Sequence, residues 1–152
     1  MKAEDQFHIA FVVDDLEGTS EEFSSLFGYE WGAEMGGRVE VVLPTGAAVL
    51  DLKCAYSLTS PRLELVRTIP GTLWEPAAGG IHHVGYWSDD VAADSADLVR
   101  HGFVTEATRS GPGGLPFFAF LRSVTGFRIE LVTRLAQPSL ERAWSGRKET
   151  NV

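Results

Sequence analysis

Two phrases in this chain are each written twice. FHIAFVVDD (residues 7–15) returns as HHVGYWSDD (82–90), with a histidine six residues ahead of an Asp-Asp pair in both copies. RLELV (62–66) returns as RIELV (128–132), each time with a Glu inside an apolar strand pattern. The stretches between them also follow one order. Residues 7–14 read as a buried strand. LEGTSEEFSSLFG (16–28) reads as a helix capped by Thr19 or Ser20, with Phe23, Leu26 and Phe27 on its apolar stripe and Gly28 as its stop. Segments 38–44, 47–57 and 62–68 read as strands separated by Pro44, Gly46 and Pro61. After the Pro-, Gly- and Ala-containing segment 69–80 the order restarts. A strand ends at the second Asp pair, a helix spans VAADSADLVRHG (91–102), and strands follow in 103–110, 117–123 and 127–134. QPSLERAWSG (137–146) reads as a short helix and the remaining tail as frayed. A repeated order of elements marks a repeated module. A sheet of three or four strands carrying one helix leaves its other face uncovered, so the two halves are expected to share a core.

Composition narrows what such a fold can serve. The formal charge of −8 and the scarcity of lysine (Lys2, Lys53 and Lys148) argue against nucleic acid as a partner. No apolar run reaches the roughly 20 residues a membrane helix needs, and MKAEDQ at the N-terminus has no signal-peptide core. Cys54 is the only cysteine, which excludes an intramolecular disulfide and fits a cytoplasmic protein. Ser20, Ser24 and Ser25 have no nucleophile-elbow context, so hydrolase chemistry has no support. GPGGLP (111–116) neither follows a clear strand nor opens a helix; it reads as a loop, plain or closing over a cleft, not as a nucleotide-binding turn.

The repeat makes the histidines and glutamates informative. If the two halves are equivalent, His8 and His83 project from matching places on the first strand of each, and Glu64 and Glu130 from matching places on the last. Side chains alternate along a strand, so Glu64 faces away from Leu63 and Leu65, and Glu130 away from Ile129 and Leu131. A carboxylate buried in a sheet is costly unless it is paired or holds a cation. Two carboxylates and two imidazoles converging form a nitrogen–oxygen site for one divalent ion, with Zn, Ni, Co, Mn and Fe all compatible. His82 competes with His83 for this place, and register favours His83, because a one-residue shift turns the side chain to the other face. His101, next to Gly102, suits a helix C-terminus.

These stretches resemble the vicinal oxygen chelate superfamily, which embraces glyoxalase I, extradiol dioxygenases, methylmalonyl-CoA epimerase and the bleomycin resistance proteins. HIAFVVDDL, GGIHHVGYWSDDV and GFRIELV carry the resemblance, which runs from Phe7 to about Thr133. It implies an α+β fold: two βαβββ modules in pseudo-twofold arrangement, their mixed sheets curved around a central cleft, as a single domain. Module one would span about 5–70, module two about 79–134, and a short helix and tail 137–152. It also implies the ligand set His8, Glu64, His83 and Glu130. GGIHHVGYWSDDV and EMGGRVEVVLP look most like methylmalonyl-CoA epimerase and glyoxalase-type members. That resemblance makes Glu40 a further candidate base, although the epimerase usually carries Gln where this chain has Glu64.

The expected chemistry is isomerase, epimerase or lyase action by proton transfer next to a carbonyl, with Glu130, Glu64 or Glu40 as the base. The expected partner is a small molecule with vicinal oxygens, with no nucleic acid and no membrane; the resemblance also admits a homodimer. Two alternatives stand beside it. One is a ferrous dioxygenase, which needs two histidines, one carboxylate and open positions. The other is a metal-free binding or sequestering protein whose cleft is lined by Trp31, Trp74, Trp87, Phe117 and Phe118.

Overall fold

The computed structural model describes residues 1–146. Strand β1 (Gln6–Val13), helix α1 (Leu16–Phe27) and strands β2 (Met35–Leu43), β3 (Gly46–Tyr56) and β4 (Leu63–Arg67) form the first half. Strand β5 (His83–Ser88), helix α2 (Val91–Arg100) and strands β6 (Val104–Ser110), β7 (Pro116–Arg122) and β8 (Arg128–Thr133) repeat that order, and helix α3 (Gln137–Ser145) follows. The fold is therefore α+β, with each half reading βαβββ. All eight strands close into one curved sheet in the order β1-β4-β3-β2-β6-β7-β8-β5. The halves are joined along β1 and β5, which run antiparallel, while β2 meets β6 only at Val42–Thr108.

Each Asp-Asp pair has a local purpose. Asp15 caps α1, its carboxylate accepting from the Gly18 amide at 2.9 Å, and Asp90 caps α2, accepting from Ala93 at 3.0 Å. The expectation that Thr19 or Ser20 caps the first helix is thereby corrected: the helix starts a turn earlier, because an Asp in extended backbone just after a strand is already a competent N-cap. Gly28, at φ 74°, closes α1 in the left-handed conformation, as read. The apolar stripe of α1 differs from the reading too. Leu16 and Phe23 pack inward beside the buried Ser20, while Leu26 and Phe27 are exposed.

Alternation then sorts the strands into two layers. Leu63 and Leu65 of β4 pack outward under α1, with Leu16 and Trp31. Ile129 and Leu131 of β8 pack outward under α2, with Val91 and Leu98. The opposite faces enclose the barrel interior, where Val12, Val41, Val66, Trp74, Phe118, Phe120 and Val132 cluster. Glu64 and Glu130 belong to this inner face. No helix among the described residues is long and apolar enough to cross a membrane.

Candidate metal centre

The register across the seam explains how four distant residues meet. Ala10 of β1 pairs with Glu64 of β4 on one side and with His83 of β5 on the other. Gly85 of β5 pairs with Glu130 of β8 and with His8 of β1. Two lateral rows thus run Glu64–Ala10–His83 and Glu130–Gly85–His8, each with the smallest residue in the middle. A small central residue leaves the space above it to the larger side chains on either side. At Gly85 the requirement is strict: a β-carbon built there would lie 2.6 Å from Nε2 of His8 and closer still to Cε1 and Nδ1.

His8 and His83 are 1% exposed, Glu64 5% and Glu130 8%. One ligand atom from each of the four lies within 4.8 Å of all the others. Nε2 of His8 is 3.2 Å from Oε2 of Glu64 and 3.3 Å from Oε2 of Glu130; Nε2 of His83 is 3.2 and 3.4 Å from the same oxygens. The two Nε2 atoms are 3.1 Å apart. Both Oε2 atoms are buried without a hydrogen-bond partner, so the four atoms face a shared point instead of pairing off. Buried polar atoms are normally satisfied. A nitrogen–oxygen set turned inward with orphaned carboxylate oxygens is chemically suited to a divalent cation.

The electrostatics fit that reading. Burial acts to lower the pKa of His8, yet the charges of Glu64 and Glu130 overcome it and raise it from 6.5 to about 9. Burial acts to raise both carboxyls, and the imidazoles overcome that, holding Glu64 well below and Glu130 below the usual range. His82, by contrast, is lowered to about 4 by burial and by His83 beside it.

A cavity of about 210 Å³ opens onto the cluster, lined by Glu64, His83 and Glu130 together with Tyr56, Cys54 and Arg109. Burial, followed by the charge of Glu64, pushes the Tyr56 phenol and the Cys54 thiol well above their ordinary values, so both are neutral hydrogen-bonding groups there. Arg109 stacks over Phe117 at 4.6 Å and, among the described residues, has no carboxylate partner; Lys53, the other cation in the wall, is 3.6 Å from Glu34.

Glu40 is not brought to this site. It is exposed on β2, opposite Val49, with its neighbours Val39 and Val41 turned inward; alternation sends its side chain to the outer surface. Of the aromatics expected in the cleft, Trp74, Phe117 and Phe118 line the cavity, whereas Trp31 packs under α1 and Trp87 stacks on Phe7 at 3.7 Å. His101 closes α2, its Nδ1 2.8 Å from the Asp97 carbonyl. Arg109 and the spacer residues Ala10 and Gly85 were missed from sequence. The spacers were visible as the small residue two places after each repeated histidine.

The sequence pattern of the Glyoxalase/Bleomycin resistance protein/Dioxygenase superfamily matches residues 7–120. The chain belongs to this superfamily. Solved structures agree on the fold. A methylmalonyl-CoA epimerase in complex with methylmalonyl-CoA and NH4+ is 24% identical, covering 85% of this chain and 93% of that one at a TM-score of 0.58. A variant of the Streptomyces coelicolor methylmalonyl-CoA epimerase in complex with 2-nitronate-propionyl-CoA is also 24% identical, covering 85% and 96% at 0.58. The Mycobacterium tuberculosis methylmalonyl-CoA epimerase is 16% identical, covering 90% and 91% at 0.56. At these identities the likeness is one of fold. No curated protein is similar enough to the chain to count as a match.

Proposed function

We propose that this superfamily member is a divalent-metal-dependent isomerase, epimerase or lyase that moves a proton next to a substrate carbonyl. Convergence of four buried ligand atoms from His8, Glu64, His83 and Glu130 carries the reading. A divalent ion held by these residues supplies Lewis acidity, which makes the neighbouring C–H bond of a substrate with vicinal oxygens easier to ionise. The remaining work falls to the chain. Glu130 and Glu64 are carboxylates held ionised at the floor of the cavity, and the proposal assigns one of them the role of the base that takes the proton and returns it. Tyr56 and Cys54 offer neutral donors along the wall. Aromatic and aliphatic side chains, with Trp74 and Phe120 among them, exclude water from the reacting carbon. Arg109 supports a substrate that carries a further anionic group, since it is the cavity's cation without a carboxylate partner among the described residues.

The cavity is smaller than the roughly 300–1,000 Å³ typical for drug-sized ligands, which suits a small acyl group with any larger carrier outside. The epimerases that share the fold are complexed with methylmalonyl-CoA and a propionyl-CoA analogue, so acyl-CoA thioesters are the first substrates to assay. The aromatic lining alone would also serve a metal-free binding protein. Metal analysis separates the two readings. The purified protein is expected to hold one divalent ion per chain, and His83→Ala to lose both ion and turnover; a wild-type protein that takes up no Zn, Ni, Co, Mn or Fe would rule the proposal out.

A further inference from the structure

We infer that His82 is a positioning residue, which fixes His83 in the tautomer whose Nε2 lone pair faces the cluster and so prepares it as a ligand. Hydrogen-bond direction fixes the tautomers. Nε2 of His82 lies 2.5 Å from the carbonyl oxygen of Leu73, and a carbonyl only accepts, so this nitrogen bears the hydrogen. A neutral imidazole protonated at Nε2 has its lone pair on Nδ1. That Nδ1 lies 2.9 Å from Nδ1 of His83, which must therefore be the donor. In a neutral His83 ring, the form that can ligate a metal, a hydrogen on Nδ1 leaves the lone pair on Nε2, and this is the atom 3.2 Å from Glu64 and 3.1 Å from Nε2 of His8.

The relay is held in place at each end. His82 is 3% exposed, and its amide donates to the Ala10 carbonyl at 2.8 Å. Leu73 sits in the segment between the halves, whose turn is closed by the Ile69 amide on the Trp74 carbonyl at 2.8 Å and by the Thr72 hydroxyl on the Ile69 carbonyl at 2.7 Å. Trp74 itself is buried in the barrel interior. The other half makes the contrast. Phe7 precedes His8 where His82 precedes His83, and Nδ1 of His8 is buried without a partner. The duplicated site thus has one histidine with a built-in orienting partner and one without. Outer hydrogen bonds of this kind fix a ligand's ring orientation and raise its basicity.

The consequence for affinity rests on the proposed metal centre, whereas the tautomer does not. Two measurements keep them apart. In the 15N-labelled, metal-free protein, long-range proton–nitrogen spectra are expected to show His82 protonated at Nε2 only and His83 protonated at Nδ1; a His82 ring protonated at Nδ1 would overturn the inference even if metal binds well. In Co2+ titrations followed by visible absorption, His82→Ala is expected to weaken binding about 10–100-fold. His82→Asn, which retains an acceptor near the Nδ1 position, is expected to recover most of that loss. Equal Co2+ affinity for wild type and His82→Ala would likewise overturn it. A wild-type protein that ignores Co2+ while showing the expected tautomers would refute the metal centre and leave the relay standing.

Discussion

Replacing Gly85 by Ala adds a single carbon at the centre of one ligand row, where two opposing effects meet. Gly85 is outside the left-handed region of backbone space, so Ala meets no conformational strain there. On propensity alone the change would stabilise the strand by roughly 0.5–1 kcal/mol. The new carbon, however, would sit 2.6 Å from Nε2 of His8 and closer to two other ring atoms, and that ring is fully buried, flanked by Phe7 and Tyr56 at centroid distances of 4.4 and 5.5 Å. Overpacking of this kind costs about 1–3 kcal/mol, so the steric effect wins and a net loss on the order of 1–2 kcal/mol is expected. Urea unfolding of the metal-free protein measures it. The same change in a His8→Ala background should be neutral or stabilising, because the ring it collides with is gone and the methyl fills part of the space left behind. Co2+ affinity of Gly85→Ala alone should fall by at least about tenfold, as His8 is displaced from the shared point. Equal destabilisation in both backgrounds, or a Gly85→Ala protein as stable as wild type, would show that the Gly85–His8 contact does not set the geometry.

Further expectations follow from other parts of the site. His8 has a folded-state pKa raised from 6.5 to about 9, so in the metal-free protein its contribution is complete below about pH 6.5 and is lost as pH climbs through about 9. Glu64 and Glu130 are depressed below 4.5; their contribution is present above that value and is lost as pH falls through their folded pKa values. His82, lowered from 6.5 to about 4, works in the opposite sense to His8, so stability climbs as pH rises through that range. Thermal midpoints of the metal-free protein should therefore peak near pH 6.5, and Zn2+ affinity measured by competition should rise from pH 6.5 towards 9 as the ion displaces the His8 proton. Arg109→Ala is expected to raise KM for an anionic acyl thioester about 10–100-fold with kcat nearly unchanged, as a lost charged hydrogen bond predicts; an unaltered KM would remove Arg109 from substrate recognition. Asp90→Ala should lower stability by about 1 kcal/mol through the lost α2 cap, measured by urea unfolding, without changing Co2+ affinity.

The repeated phrases made the architecture legible because they sit at its structural joints: β1 and β5 form the seam, and β4 and β8 flank it. Alternation in RLELV and RIELV was enough to turn both glutamates inward, since the leucine and isoleucine neighbours needed the helix-covered face. The same alternation, applied to RVEVV, already turns Glu40 outward. Other features were not readable locally. Thr19 and Ser20 are good capping residues, and only the end of the preceding strand shows that Asp15 comes first. The barrel has two apolar layers, so an aromatic such as Trp31 can satisfy its burial in either, whereas Trp87 shares the inner cluster with Trp74 but packs on Phe7 and Trp144 away from the cavity. His82 lies just before the strand, so the alternation used to turn it to the face opposite His83 does not apply to it; it is buried beside His83 instead. Its role emerged from the Leu73 carbonyl, which the intervening loop brings back to it.

The interleaved rows along the seam have a thermodynamic consequence. Each row borrows its imidazole from the half that does not supply its acid: Glu64 shares a row with His83, and Glu130 with His8. A cation bound by all four residues would be held by both halves at once, with two ligands from each. Ion affinity and adhesion of the halves are then a single coupled equilibrium, and every loosening of the seam is felt as a loss of ion.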